Sequence, residues 1–237
     1  VINLLAIDTA TDACSLALQC SGERRVSHQV IPRQHQQRLF ELIHELLEGR
    51  APASLNLSAI AYGRGPGSFT GLRIAASAAQ GLAYSLRIPV VGLSTLQTQA
   101  HSLLRKAAQA EPCLIISTLD ARIGEIYGAW FDFDGSGLAA LGDAFVCKPE
   151  ALPLPPAFAG RPVVALGSGF RHPAAREVLG EHLLGCWPEL MPEAQDMLAP
   201  AEALLLAGAT GAAASAVPDY VQERVGWKTL AEQGRRA

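Results

Sequence analysis

Two aspartates stand where apolar runs end: Asp8 closes the run from Ile2 to Ile7, and Asp120 closes the run from Cys113 to Leu119. A strand that ends in a turn of small or hydroxyl-bearing residues lets backbone amides approach a phosphate, because a bulky side chain there would block the approach. Asp8-Thr9-Ala10-Thr11 keeps such residues, so Asp8 and Thr9 are the candidate nucleotide-binding pair. Asp120-Ala121-Arg122-Ile123-Gly124 does not, since Arg122 and Ile123 are bulky and block a conventional second phosphate turn. Both aspartates read as turn residues rather than as carboxylates that anchor a metal. Gly167-Ser168-Gly169 has the form of an adenosine-binding turn, but a lone Gly-x-Gly carries little. The run from Gly63 to Gly71, GRGPGSFTG, is glycine-rich like a phosphate loop. That chemistry needs a lysine at the helix start, and no lysine precedes Lys106. A tight turn and a helix cap remain, with Ser68 or Thr70 accepting from the first free amides. Histidines stand at 28, 35, 44, 101, 172 and 182, no two of them three or four apart. No helix face therefore offers a metal-binding pair, and no catalytic residue or metal ligand is assigned.

The elements that would position these turns come from a chain of 237 residues, 49% apolar and 17% charged. That is enough for one large domain or two lobes of roughly 110 residues each. The net charge is −3, without the basic surplus from which a free-standing nucleic-acid binder draws its affinity. Five cysteines, at 14, 20, 113, 147 and 186, make an odd set with no Cys-x-x-Cys pair. Cys14 and Cys20 lie about 20 Å apart on one strand, beyond disulfide reach. Free thiols, the lack of a signal-peptide pattern and the lack of any apolar run near ~20 residues lead us to expect a cytoplasmic protein with no membrane partner.

Period-two alternation predicts three antiparallel strands over Ile2–Ile7, Cys14–Cys20 and Arg24–Val30. A helix over His35–Glu48, a strand over Leu57–Tyr62, a helix opening near Ser68 and a strand over Pro89–Leu93 follow. Ser94 and Gln97 then cap a third helix. The pattern restarts at Cys113: a strand ending in aspartate, a turn, a strand over Ile126–Phe133, a hairpin at Asp134–Gly137 and a strand over Leu138–Val146. A strand over Pro162–Leu166, a helix over Pro200–Ala214 and a terminal tail from Asp219 complete the reading. This duplication places the chain in the α/β class, as duplicated ribonuclease H-like lobes of the actin, sugar-kinase and Hsp70 superfold. The lobes are expected at 1–108, with the partner-binding helices, and 109–237, smaller and degenerate. In that superfold a nucleotide normally lies between the lobes.

From Ile74 to Leu86 the sequence IAASAAQGLAYSL carries no charge on any face, which a surface helix usually does. Two readings follow, not exclusive of each other: this helix is sandwiched inside its own lobe, and one side packs inward while a partner covers the other.

Several stretches resemble the bacterial TsaB family, also called YeaZ: AIDTATDACSLAL (6–18), AYGRGPGSFTGLRIA (61–75), QGLA (80–83), VVGLSTL (90–96), LDARIGEIY (119–127) and PDYVQERVGWKTL (218–230). The resemblance covers nearly the whole chain except about 134–198. It implies a non-catalytic platform subunit in the making of threonylcarbamoyladenosine at position 37 of tRNAs reading ANN codons. It also implies docking to a TsaD-like catalytic paralogue, with a TsaE-like ATPase joining the complex and a homodimer as another pairing. The metal-binding His-x-x-x-His pair of that catalytic relative has no equivalent here. The first two helices of the N-terminal lobe would build the interface, which selects Leu39, Ile43, Arg73, Ala75, Ala78, Ala79 and Leu82. No cofactor is expected on this chain alone, although ATP or ADP can lie at the partner interface. Contact with tRNA would be indirect, and the basic end, Lys228 with Arg235 and Arg236, reads as a solvated terminus. The competing expectation is an ATP-dependent transferase or phosphotransferase acting on its own, motivated by the intact first turn. A metallopeptidase has no ligand set to stand on.

Overall fold

The computed structural model describes residues 2–107 and 111–221; the basic end falls outside them. Leu4–Asp8 (β1), Ala13–Cys20 (β2) and Glu23–Val30 (β3) form the antiparallel run, followed by helix His35–Leu46 (α1), strand Ala59–Gly65 (β4), helix Phe69–Leu86 (α2), strand Val90–Ser94 (β5) and helix Thr95–Ala107 (α3). The sheet order is β3-β2-β1-β4-β5, with β1 and β5 both parallel to β4. β1 is buried along its whole length, and β4 everywhere except Arg64, as strands covered on both faces must be.

The second unit repeats this plan. Cys113–Arg122 (β6) pairs antiparallel with Glu125–Phe133 (β7), as β1 does with β2. Val163–Leu166 (β10) is parallel to β6 and to Leu183–Trp187 (β11), so the order β11-β10-β6-β7-β8 mirrors the first sheet. The strand read over Leu138–Val146 is two short strands, Leu138–Ala140 (β8) and Phe145–Cys147 (β9), both paired with β7. Gly142 at φ 86° lies in the break between them. The helix read over Pro200–Ala214 runs instead from Leu198 to Leu206 (α5), before Gly208 at φ 72°. A glycine in the left-handed region just past the last turn is a common helix stop.

The helices after β5 and β11 are exchanged between the units. Leu96, Ala100 and Leu103 of α3 pack on β6, β7 and β10, whereas Leu198 and Ala201 of α5 pack on β1, β4 and β5. A division at 108/109 thus separates the sheets but not their helices. α3 is tied to the segment before α5 by an ionic cluster: Arg105 Nη2 meets Glu193 Oε2 at 2.7 Å, Arg105 Nε meets Asp196 Oδ1 at 2.7 Å, and Lys106 also reaches Glu193. Ser102 Oγ donates to Asp196 Oδ2 at 2.7 Å. Ala194 N donates to Ser15 Oγ of β2 at 2.8 Å. The two lobes are therefore bound through two crossing connections and a charge network whose carboxylates are buried and whose cations reach the surface.

The units differ in their other helices. Between β9 and β10 the second carries only 3-10 turns at Pro149–Ala151 and Pro156–Phe158 where the first has α1. The helix Pro173–Leu179 (α4) has 7 residues against 18 in α2. Among the described residues, two neighbouring long helices on one face exist only in the first lobe.

Candidate functional site: the interlobe cleft and the outer face of α2

A cavity of about 750 Å³ opens between the lobes, where the β1–β2 and β6–β7 turns face each other. Thr11, Asp12, Phe69, Asp120, Ile123 and Tyr220 are among the residues that line it. The first turn is held by the glycine-rich run. Gly67 and Gly71 lie so close to the turn that an added Cβ would come within 2.6 Å of the Ala10 carbonyl oxygen and 1.9 Å of the Thr9 carbonyl oxygen, respectively. GRGPGSFTG is thus a packing seam between the first turn and the start of α2. Two of its amides close the seam: Ser68 N donates to Ala10 O at 2.8 Å, and Gly71 N donates to the capping Ser68 Oγ at 3.3 Å. The cap read at Ser68 is present.

Asp8 and Thr9 are not cleft residues. Thr9 is fully buried, and its hydroxyl donates to Gly71 O at 2.7 Å. Asp8 is 1% exposed, with Oδ1 accepting from Ala10 N at 3.0 Å and Oδ2 without a partner, pressed against Gly63. Burial pushes its carboxyl up from 3.8 to about 6, which the hydrogen bond from Ala10 only partly offsets. Both candidates are corrected to internal parts of the turn: they hold its shape and offer no ligand an atom.

Asp120 holds the matching place in the second unit but is exposed. Its Oδ1 accepts from Arg122 N at 2.8 Å, and its own amide donates to Ser168 Oγ at 2.9 Å. Arg122 and Ile123 sit at φ 66° and 52°, a region that β-branched residues avoid. Gly167 and Gly169 serve packing: their absent side chains let Thr118 approach. Two amides of these turns, Ala10 N and Arg122 N, are bonded to the carboxylates of Asp8 and Asp120. Among the described residues no three His, Cys, Asp or Glu side chains gather as a metal site requires.

α2 divides into two faces. Leu72, Ala75, Ala76, Ala78, Ala79 and Ala83 are buried with β1, β4 and Ala216 in the core of the first lobe. Arg73, Ser77, Gln80, Gly81 and Tyr84 are exposed, at the spacing of one helical stripe. Of the proposed interface residues, Leu39 and Ile43 of α1 and Ala75, Ala78 and Ala79 of α2 are 0–4% exposed. They are corrected to core positions, since the sheet beneath them already covers their side chains. Leu82 is half-buried, and Arg73 alone of the seven is exposed. The surface they were meant to mark carries Tyr84 at 79% and Phe40 of α1 at 59% exposure instead. The signal for Tyr84 was its spacing of seven from Ser77 and eleven from Arg73, on the polar stripe of the helix.

The start of α2 carries a strap. Asp219 N donates to Arg64 O at 2.7 Å, and Tyr62 Oη bonds both the carbonyl and the amide of Val217 at 3.1 and 3.2 Å. Tyr220 stacks against Phe69 with centroids 5.7 Å apart, while Arg73 lies 3.8 Å over the Phe69 ring and donates to Tyr220 Oη at 3.1 Å. Phe69 and Tyr220 thus belong both to the cleft mouth and to the end of the α2 stripe.

Two sheets of one order, with exchanged helices and a cleft between paired turns, define the duplicated ribonuclease H-like class of the actin, sugar-kinase and Hsp70 superfold. Residues 26–170 match the family model for TsaD, tRNA N6-adenosine threonylcarbamoyltransferase. Over 233 residues the chain is 36% identical to the tRNA threonylcarbamoyladenosine biosynthesis protein TsaB of Escherichia coli (strain K12), spanning 97% of this chain and 98% of that one. A crystal structure of a Pseudomonas aeruginosa protein similar to peptidase YeaZ matches with TM-score 0.84 at 33% identity, over 94% of this chain and 100% of the other. YeaZ from Pseudomonas aeruginosa matches with TM-score 0.80 at 33% identity, over 93% and 100%. The chain belongs to the TsaB (YeaZ) family.

Proposed function

We propose that the chain takes part in threonylcarbamoyladenosine biosynthesis on tRNA as a non-catalytic subunit that docks a TsaD-type catalytic paralogue through the outer faces of α1 and α2. The observation that carries this reading is the α2 stripe: it bears no charge between Arg73 and Arg87, yet exposes Tyr84 at 79%. An exposed aromatic in an uncharged patch with arginines at its ends has the composition of a docking surface, apolar inside and polar at the rim. Support for the non-catalytic part is that Asp8 is buried and that the carboxylates of Asp8 and Asp120 each accept from an amide of their own turn. In this reading the modified base is position 37 of tRNAs that read ANN codons, and a TsaE-like ATPase joins through the complex. Contact with tRNA is indirect, a second copy of the chain competes for the same face, and any ATP or ADP is held with the partner.

Co-purification with the TsaD-type protein tests the surface. Tyr84→Glu is expected to weaken pairing at least tenfold, about 1.4 kcal/mol or more, while Tm stays within a degree or two of the parent. Ala78→Glu, by contrast, places a charge at a 4% exposed core position and is expected to cost several kcal/mol of fold stability. Undiminished pairing by a folded Tyr84→Glu variant would show that the stripe is not the docking face.

A further inference from the structure

Arg25, Arg38, Arg64, Arg105, Arg161 and Arg171 each meet a carboxylate of the chain. Arg73 is held differently. It stands one turn after Phe69 on α2, and residues four apart share a helix face. A helical side chain leans toward the N-terminus, which lays the Arg73 guanidinium over the Phe69 ring at 3.8 Å. Its Nε donates to Tyr220 Oη at 3.1 Å. Tyr220 is in turn set by the strap, through Asp219 N to Arg64 O and Val217 to Tyr62 Oη, and by its own contact with the Phe69 ring. The guanidinium is therefore fixed on one face by an aromatic ring and on one edge by a phenol. Its two terminal nitrogens have no acceptor among the described residues, and Arg73 forms no ion pair there. The first turn of α2 carries no acid, so nothing in it offsets a helix dipole that disfavours a cation at this end.

A planar fork with its outer edge open matches a carboxylate through two parallel hydrogen bonds. An exposed arginine ordinarily loses much rotamer freedom on binding. Here the ring and the phenol already restrict it in the unbound chain, so more of the contact appears as affinity. The stripe decides what carries the carboxylate. Beyond Arg73 come Ser77, Gln80, Gly81 and Tyr84, and the next cation of the helix is Arg87, roughly 21 Å along its axis. A run of phosphates would find one guanidinium and then an uncharged surface. A protein face with one acid beside apolar residues finds a counterpart for each. We infer that Arg73 is a pre-positioned clamp for one aspartate or glutamate of the protein that docks on α2, and that Tyr220 is the positioning residue that aims it. The clamp presupposes docking through the α2 stripe and fixes where along that stripe the partner's acid must sit.

Titration calorimetry of the full-length chain with the TsaD-type protein tests the clamp, with Tm measured alongside. Arg73→Ala is expected to weaken pairing by roughly tenfold or more. Arg73→Lys should lose nearly as much, since an ammonium keeps the charge but not the fork. Arg87→Ala removes an exposed cation that has no such hold among the described residues, and is expected to weaken pairing by no more than about threefold. Tyr220→Phe keeps the ring against Phe69 and deletes only the acceptor of the Nε bond. A loss of about three- to tenfold is expected in the parent and no further loss in the Arg73→Ala background, a non-additivity that a merely structural role would not give. Alanine scanning of the exposed acids of the TsaD-type protein is expected to find one whose removal weakens binding to the parent by about tenfold and leaves binding to Arg73→Ala unchanged. If folded Arg73→Ala pairs like the parent while Tyr84→Glu does not, the clamp is overturned and the docking face stands. Equal losses from Arg73→Ala and Arg87→Ala, or additive losses from Tyr220→Phe and Arg73→Ala, overturn the clamp as well. Undiminished pairing by both Arg73→Ala and Tyr84→Glu removes the docking face itself.

Discussion

Gly71→Ala is expected to lower Tm by roughly 10 °C, a loss of about 3–5 kcal/mol in a protein of this size. The new Cβ would sit 1.9 Å from the Thr9 carbonyl oxygen and 3.0 Å from its carbonyl carbon. Both are backbone atoms of a turn anchored by Asp8 and Ala10, so no flexible side chain can swing away. Relief requires the start of α2 to retreat by about 1 Å, which breaks the bond from the buried Thr9 hydroxyl to Gly71 O at 2.7 Å and leaves that hydroxyl unsatisfied. Gly81→Ala is the matched control in the same helix. Its Cβ would meet nothing within 4 Å, and the position is exposed. Relief of glycine's backbone entropy is expected to raise stability there by about 0.5–1 kcal/mol. Thermal unfolding of the two variants checks the seam: a Gly71→Ala protein as stable as the parent would mean that the turn and the helix are not locked together.

What the sequence carried openly was periodicity. Alternation marked Ala13–Cys20, Glu23–Val30 and the strand after Ile126, and apolar runs marked β1, β4, β5, β6 and β10, but β11 was not read from the sequence. The break of the third strand near Gly142 was not read, although Gly142-Asp143 is a turn-forming pair inside an otherwise apolar stretch. The exchange of α3 and α5 between lobes was invisible for a different reason: an amphipathic helix records that it has an apolar face, not which sheet covers it. The same ignorance misplaced the interface. Ala75, Ala78 and Ala79 were read as places where another helix draws close, and β4 and the segment around Ala216 are what draw close. Asp8 and Asp120 share a position in the repeat but not an environment. Asp8 stops at the end of β1 against Gly63, whereas β6 continues past Asp120 to Arg122 and leaves its carboxylate at the surface. A sequence repeat fixes the topological place of a side chain; the glycine on the neighbouring strand decides its burial.

That burial gives Asp8 the second large effect. With its carboxyl raised from 3.8 to about 6 in the fold, the folded chain holds this proton more tightly than the unfolded chain does. The resulting stability is full below pH 3.8 and is lost as pH rises through about 6, a change of about 3 kcal/mol by neutral pH. Glu193 has the opposite sign: burial raises it, but bonds from Lys106 and Gln195 outweigh that and hold it below its usual value. Its contribution is lost as pH falls. The parent curve therefore mixes both, and the difference between parent and Asp8→Asn isolates the aspartate. The asparagine Oδ1 keeps the bond from Ala10 N and cannot ionise. Asp8→Asn is expected to gain on the parent by up to about 3 kcal/mol between pH 4 and 7, less whatever its unpartnered amide nitrogen costs against Gly63. Urea unfolding at pH 4, 5.5 and 7 measures that difference. Parallel curves for the two proteins would mean that Asp8 is ionised without penalty, and that its second oxygen finds a partner which the turn does not supply.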